Sequence, residues 1–124
     1  MAIFDGLSKA DADRIRREGR RVRLPAGWSP IAERTPADKA YIIVSGEVSV
    51  RRGKEEIARI GPGEMIGEAG IVSHKLRNAS VVALTQLEVL HYTSEQVEQL
   101  SREVPAFKDA LDRQAAARLG ASGD

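Results

Sequence analysis

Between Arg20 and Leu90 the apolar residues recur with period two, and glycine or proline interrupts them every few positions. Side chains of an extended strand point alternately to opposite faces, so this pattern suits strands buried on one face. Val22 and Leu24 alternate with arginines, and Pro25-Ala26-Gly27 marks a turn. Tyr41 to Val44 is a short apolar run that suits a buried strand, and Ser45-Gly46 turns it into Val48 and Val50. Arg52-Gly53-Lys54 reads as a hairpin returning through Ile57, Ala58 and Ile60, and Gly61-Pro62-Gly63 leads into Met65 and Ile66. Val81-Val82-Ala83-Leu84 and Leu87-Glu88-Val89-Leu90 are expected to pair with each other around Thr85-Gln86. Short strands spaced this regularly predict a sandwich or a barrel.

Helical patterns flank the strands. Ser8 can cap a helix with Asp11 three residues on, and Leu7, Ala12 and Ile15 give it a thin apolar side. The arginines at 14, 16, 17, 20, 21 and 23 invite a nucleic-acid reading, but Asp13 and Glu18 interrupt them and a solvated face is expected. After Tyr92, Thr93 or Ser94 can cap a helix carrying Val97 and Leu100. Pro105 breaks or restarts it, and Phe107, Leu111 and Leu119 lie on the following helix. The expected organisation is a single domain over residues 1–124, with a β-roll at about 20–92 and C-terminal helices at about 94–119.

Composition removes several function classes. The 124 residues carry a net charge of +1, too balanced to suggest a polyanion-binding surface. Without cysteine there are no disulfides and no thiolate metal sites, which fits a reducing cytoplasm. No run of about 18 apolar residues occurs, so no membrane partner is expected. His74 and His91 are the two histidines, too few for a cupin-type metal centre and without the surroundings of a catalytic triad.

The stretch Gly67-Glu68-Ala69-Gly70-Ile71-Val72-Ser73-His74-Lys75-Leu76-Arg77-Asn78-Ala79-Ser80 holds the chemistry. Gly67 and Gly70 let backbone approach a ligand closely. Residues 68–71 can form a helical turn whose free N–H groups face an anion. Arg77 offers a planar guanidinium that grips phosphate through two parallel hydrogen bonds. A phosphate repels the Glu68 carboxylate, which therefore needs another donor, such as a sugar hydroxyl. Together these groups describe a pocket for a phosphorylated sugar.

The same stretch resembles the phosphate-binding cassette of the cyclic nucleotide-binding domain family, the type found in catabolite activators and protein kinase A regulatory subunits. Gly67-Glu68-Ala69-Gly70 and Arg77-Asn78-Ala79-Ser80 match its two halves at a similar separation. The likeness extends through Tyr41-Ile42-Ile43-Val44-Ser45-Gly46-Glu47-Val48 and Gly61-Pro62-Gly63, and covers the chain from about Phe4 to Leu119. It implies a mainly β fold with flanking helices: an eight-stranded jelly-roll β-barrel with an N-terminal helix and C-terminal helices. It also implies phosphate binding by Arg77 and by backbone N–H groups at Gly70 and Ala79, and a hydrogen bond from the ribose 2′-hydroxyl to Glu68. Ala69 stands where many members carry a larger aliphatic side chain that relays binding to the C-terminal helices. Asn78 stands where members favouring cyclic GMP often carry Thr and those favouring cyclic AMP often carry Ala or Ser; its amide can bond either purine or the phosphate.

The function this implies is non-catalytic sensing of a cyclic nucleotide by a regulatory domain, with no cofactor. The ligand is expected to be cyclic AMP, with cyclic GMP as the other candidate. Gly67, Glu68, Ala69, Gly70, Arg77, Asn78, Ala79 and Ser80 form the site, residues near Val81 and Val82 flank the base, and the C-terminal helix closes over it as a lid. Partners are then an effector protein and, through that helix, a second copy in a homodimer. Nucleic acid is not expected, because the residues after Leu119 leave no room for a helix-turn-helix. The alternative is a degenerate member that keeps the fold as a protein interaction module and binds no nucleotide.

Overall fold

A computed structural model describes residues 3–29, 38–67 and 79–122. Helix α1 (Lys9–Glu18) leads into β1 (Arg20–Leu24), β2 (Lys39–Ser45), β3 (Val48–Arg52), β4 (Glu55–Ile60), β5 (Met65–Ile66), β6 (Ser80–Ala83) and β7 (Leu87–Thr93). Helices α2 (Ser94–Glu103) and α3 (Pro105–Ser122) follow. The strands make two antiparallel sheets, one in the order β1-β7-β2-β5 and one in the order β4-β3-β6. This is a jelly-roll arrangement of mostly β structure with flanking helices, as expected. Among the described residues it has seven strands in two open sheets, where the expectation was eight in a closed barrel. Residues 27–29 add an irregular neighbour to β6: Gly27 N–H donates to the Ala83 carbonyl and Ala83 N–H to that of Trp28, both at 2.8 Å.

Alternation along β2 accounts for its unbroken apolar run. Ala40 and Ile42 point into a cluster shared with Tyr92, Leu100 and Phe107, under the helices. Tyr41 and Ile43 point the other way, into a cluster with Val48, Ile60, Val81 and Val89 between the sheets. A strand covered on both faces needs apolar side chains on both. Val44 departs from the run and is exposed, because the register shifts between Ile43 and Ser45.

The expected hairpin between Val81–Leu84 and Leu87–Leu90 does not form. β6 pairs with β3, and β7 pairs with β1 and β2 on the other sheet. The turn at 84–86 instead crosses between sheets beside the Ser45–Glu47 turn, where β2 crosses to β3. Glu47 N–H donates to Thr85 Oγ1 at 3.1 Å and Leu84 N–H to the Glu47 carbonyl at 2.9 Å. Gly46, at φ +98°, is required there, since a Cβ would lie 2.5 Å from the Gln86 carbonyl oxygen.

Capping fixes the helices. Ser8 Oγ accepts from Asp11 N–H, and Ala12 and Ile15 are buried. Thr93 rather than Ser94 caps α2, in a reciprocal box with Gln96. The Gln96 amide also donates to the Glu18 carbonyl at 2.9 Å, tying the end of α1 to the start of α2. Pro105 opens α3, where its missing N–H costs nothing. Much of the arginine cluster is occupied at the surface: Arg14 pairs with Glu18 and Glu103, Arg21 with Glu88, and Arg16 lies over the Phe4 ring.

Candidate functional site

Two strand ends frame the stretch expected to bind ligand. β5 stops at Ile66, and Gly67 follows at φ +90°, a conformation that side chains rarely tolerate. On the far side Ala79 is buried and Ser80 opens β6. Ile66 lies opposite Tyr41 on the four-stranded sheet, and Ser80 lies opposite Arg51 on the three-stranded sheet. The intervening chain therefore crosses from one sheet to the other. Gly67, Ala79 and Ser80 are thus placed at the two ends of one crossing. Glu68, Ala69, Gly70, Arg77 and Asn78, with the expected helical turn and His74, lie outside the described residues.

One row of residues runs across the four-stranded sheet to this crossing: Arg20, His91, Tyr41 and Ile66 are successive cross-strand partners. Their position in the strand alternation puts them on the face toward the second sheet, with Ile43, Val89 and Leu87. His91 meets the Tyr41 ring edge to face, with centroids 5.4 Å apart. Burial holds the His91 imidazole below its ordinary pKa, and the charges of Arg20 and Lys39 lower it further against the opposing effect of Asp38. His91 does lie in a strand, as expected. Its place between Arg20 and Tyr41 was not legible, because cross-strand register was unknown.

The base-flanking expectation divides between its two residues. Val81 faces the space between the sheets and is buried, whereas Val82 alternates to the outer face opposite Ser49. The lid expectation changes more. It rested on Phe107 and Leu111 needing a ligand-dependent surface, but both are already buried, with Ala110, in the cluster under the helices. The first turns of α3 belong to the core. Further along, Gln114 is 3% exposed and hydrogen-bonds the backbone of Met65, a contact that no sequence motif announced. Among the described residues, no three histidine, aspartate or glutamate side chains gather as a metal site would need, and no helix is long and apolar enough to cross a membrane.

Fold and crossing together define a two-sheet β-roll with its candidate anion loop between β5 and β6. The family profile of the cyclic nucleotide-binding domain matches residues 21–103, which takes in both sheets, the loop and α2. The chain belongs to the cyclic nucleotide-binding domain family. It is similar to the CRP-like cAMP-activated global transcriptional regulator of Mycobacterium tuberculosis, at 29% identity over 122 residues covering 94% of this chain and 54% of that protein. It is similar to a cyclic nucleotide-gated potassium channel of Mesorhizobium japonicum, at 29% identity covering 98% of this chain and 34% of the channel. Among solved structures, the catabolite activator protein of Thermus thermophilus superposes with a TM-score of 0.82 at 28% identity, over 94% of this chain and 57% of that one. The chain spans about half or less of the length of these relatives. One of them is named a transcriptional regulator, which runs against the expectation that nucleic acid is no partner.

Proposed function

We propose that this chain binds a cyclic nucleotide, cyclic AMP in preference to cyclic GMP, and reports occupancy to an effector protein without catalysing a reaction. The observation that carries the reading is the pair of half-motifs, Gly67-Glu68-Ala69-Gly70 and Arg77-Asn78-Ala79-Ser80, inside the region that matches the family. Support comes from the crossing that joins the two sheets. The similarity to a cAMP-activated regulator favours the adenine nucleotide.

In this reading the loop's backbone N–H groups and Arg77 neutralise the single phosphate charge, while Glu68 accepts from the ribose hydroxyl. Asn78 and the inner face at Val81 meet the base. Equilibrium dialysis of metal-free protein against cyclic AMP and cyclic GMP tests it. The expected result is saturable binding, tighter for cyclic AMP, with the nucleotide recovered intact. Release of 5′-AMP, or loss of binding on adding a chelator, contradicts it. No binding of either nucleotide at millimolar concentration leaves the interaction-module alternative.

A further inference from the structure

Among the described residues β5 is the last strand of its sheet, paired on one side to β2 and on the other to no strand. Met65 turns both of its backbone polar groups toward α3 instead. Its N–H donates to Gln114 Oε1 at 2.9 Å, and its carbonyl accepts from Gln114 Nε2 at 3.1 Å. One side-chain amide thus supplies the donor and acceptor that a neighbouring strand would have supplied. The pair is buried, with Met65 at 0% and Gln114 at 3% exposure, so water is a poor substitute if it is lost. Gln114 continues the stripe Phe107, Ala110 and Leu111, whose apolar members fix α3 in the core. The polar end of a rigid stripe is therefore clamped two residues before Gly67, where the candidate loop begins.

We propose that Gln114 is a positioning residue of the nucleotide site. It holds β5, and with it Gly67 and the start of the loop, in the geometry that ligand requires. Without the clamp β5 retains its bonds to β2 but loses both Gln114 bonds at Met65, two residues before the loop's first residue. The effect passes through Met65 backbone, and Gln114 itself need not touch ligand. This role rests on the nucleotide-binding reading above.

Gln114→Leu keeps the approximate volume and removes both bonds; Gln114→Glu keeps the shape and regains both only when its carboxyl is protonated. Amide hydrogen exchange, read without ligand, is expected to quicken at Met65 and Gly67 in Gln114→Leu while amides in β7 stay protected. The dissociation constant for cyclic AMP is expected to rise roughly tenfold, as for a lost buried hydrogen bond. In Gln114→Glu the ratio of variant to wild-type dissociation constant is expected to fall toward one as pH is lowered, a rescue that simple loss of packing does not produce. Unchanged exchange at Met65 and Gly67 overturns the proposal, as does wild-type affinity in Gln114→Leu or a pH-independent ratio in Gln114→Glu. Quickened exchange throughout the chain, β7 included, also overturns it by making Gln114 a general stability residue. If the wild type fails to bind cyclic AMP, the functional reading has failed, and the exchange result alone decides whether Gln114 anchors the loop.

Discussion

Glu68 is where the proposed site makes its sharpest chemical demand, since a carboxylate beside a phosphate needs a donor, and at that edge the ribose hydroxyl is the only strong one a cyclic nucleotide offers. Glu68→Ala is expected to cost about 1.5–3 kcal/mol of binding, the range for a hydrogen bond to a charged group. Titrating both proteins with cyclic AMP and its 2′-deoxy analogue closes a cycle. Strong discrimination by the wild type and almost none by the variant places the hydroxyl on Glu68; an equal penalty in both removes it from the ribose. His91 gives a second residue-level test. Its folded pKa lies below the ordinary 6.5, through burial first and then Arg20 and Lys39, with Asp38 opposing. Between the lowered value and 6.5 the unfolded chain binds more protons than the folded one, so stability rises with pH there and is lost as pH falls. His91→Phe keeps a ring against Tyr41 and is expected to flatten that part of the dependence in urea unfolding at pH 7.5 and 5.5. The same slope in both proteins contradicts the assignment. Single residues were legible where a motif or a backbone rule spoke for them, as with Gly67. They were not legible where the role depends on a partner distant in sequence, as with Gln114 on Met65.

Elements followed from periodicity, and their partners did not. The helix starts at Ser8 and Thr93 and the hairpin at Gly53 were written in local chemistry and are present. The supposed pairing of β6 with β7 failed because two apolar segments joined by a short turn look alike whether they fold back or cross between sheets. Only the packing of Gly46 and Glu47 against that turn distinguishes the cases. Helix α3 carries the main correction, as its buried Phe107 makes it core before any ligand arrives. Phe107→Ala is accordingly expected to destabilise the ligand-free protein by about 3–5 kcal/mol in denaturant unfolding, the usual cost of emptying a buried aromatic site. A change below about 0.5 kcal/mol, as for a surface substitution, restores the view of this segment as a ligand-dependent lid.

At the scale of the whole molecule, the two sheets and the helices do different work. The four-stranded sheet is sandwiched between the helices and the second sheet, and so is the rigid element against which the loop can be held. The β5–β6 crossing joins the two sheets, so groups on both can converge on one ligand. A sandwich or barrel was legible in the spacing of turns and the jelly roll in the family resemblance, whereas the division of the described strands between two sheets depends on hydrogen bonds that no sequence pattern encodes. The most direct test of the central claim is a calorimetric titration of cyclic AMP into the wild type and Arg77→Lys side by side. Lysine keeps the charge but loses the bidentate fork. Losing such a charge-assisted bond, worth about 1.5–3 kcal/mol, predicts a single saturable site in the wild type and binding weakened roughly tenfold to a hundredfold in the variant. No saturable heat in the wild type, or equal affinity in the two proteins, contradicts the claim that this loop binds the phosphate of a cyclic nucleotide through Arg77.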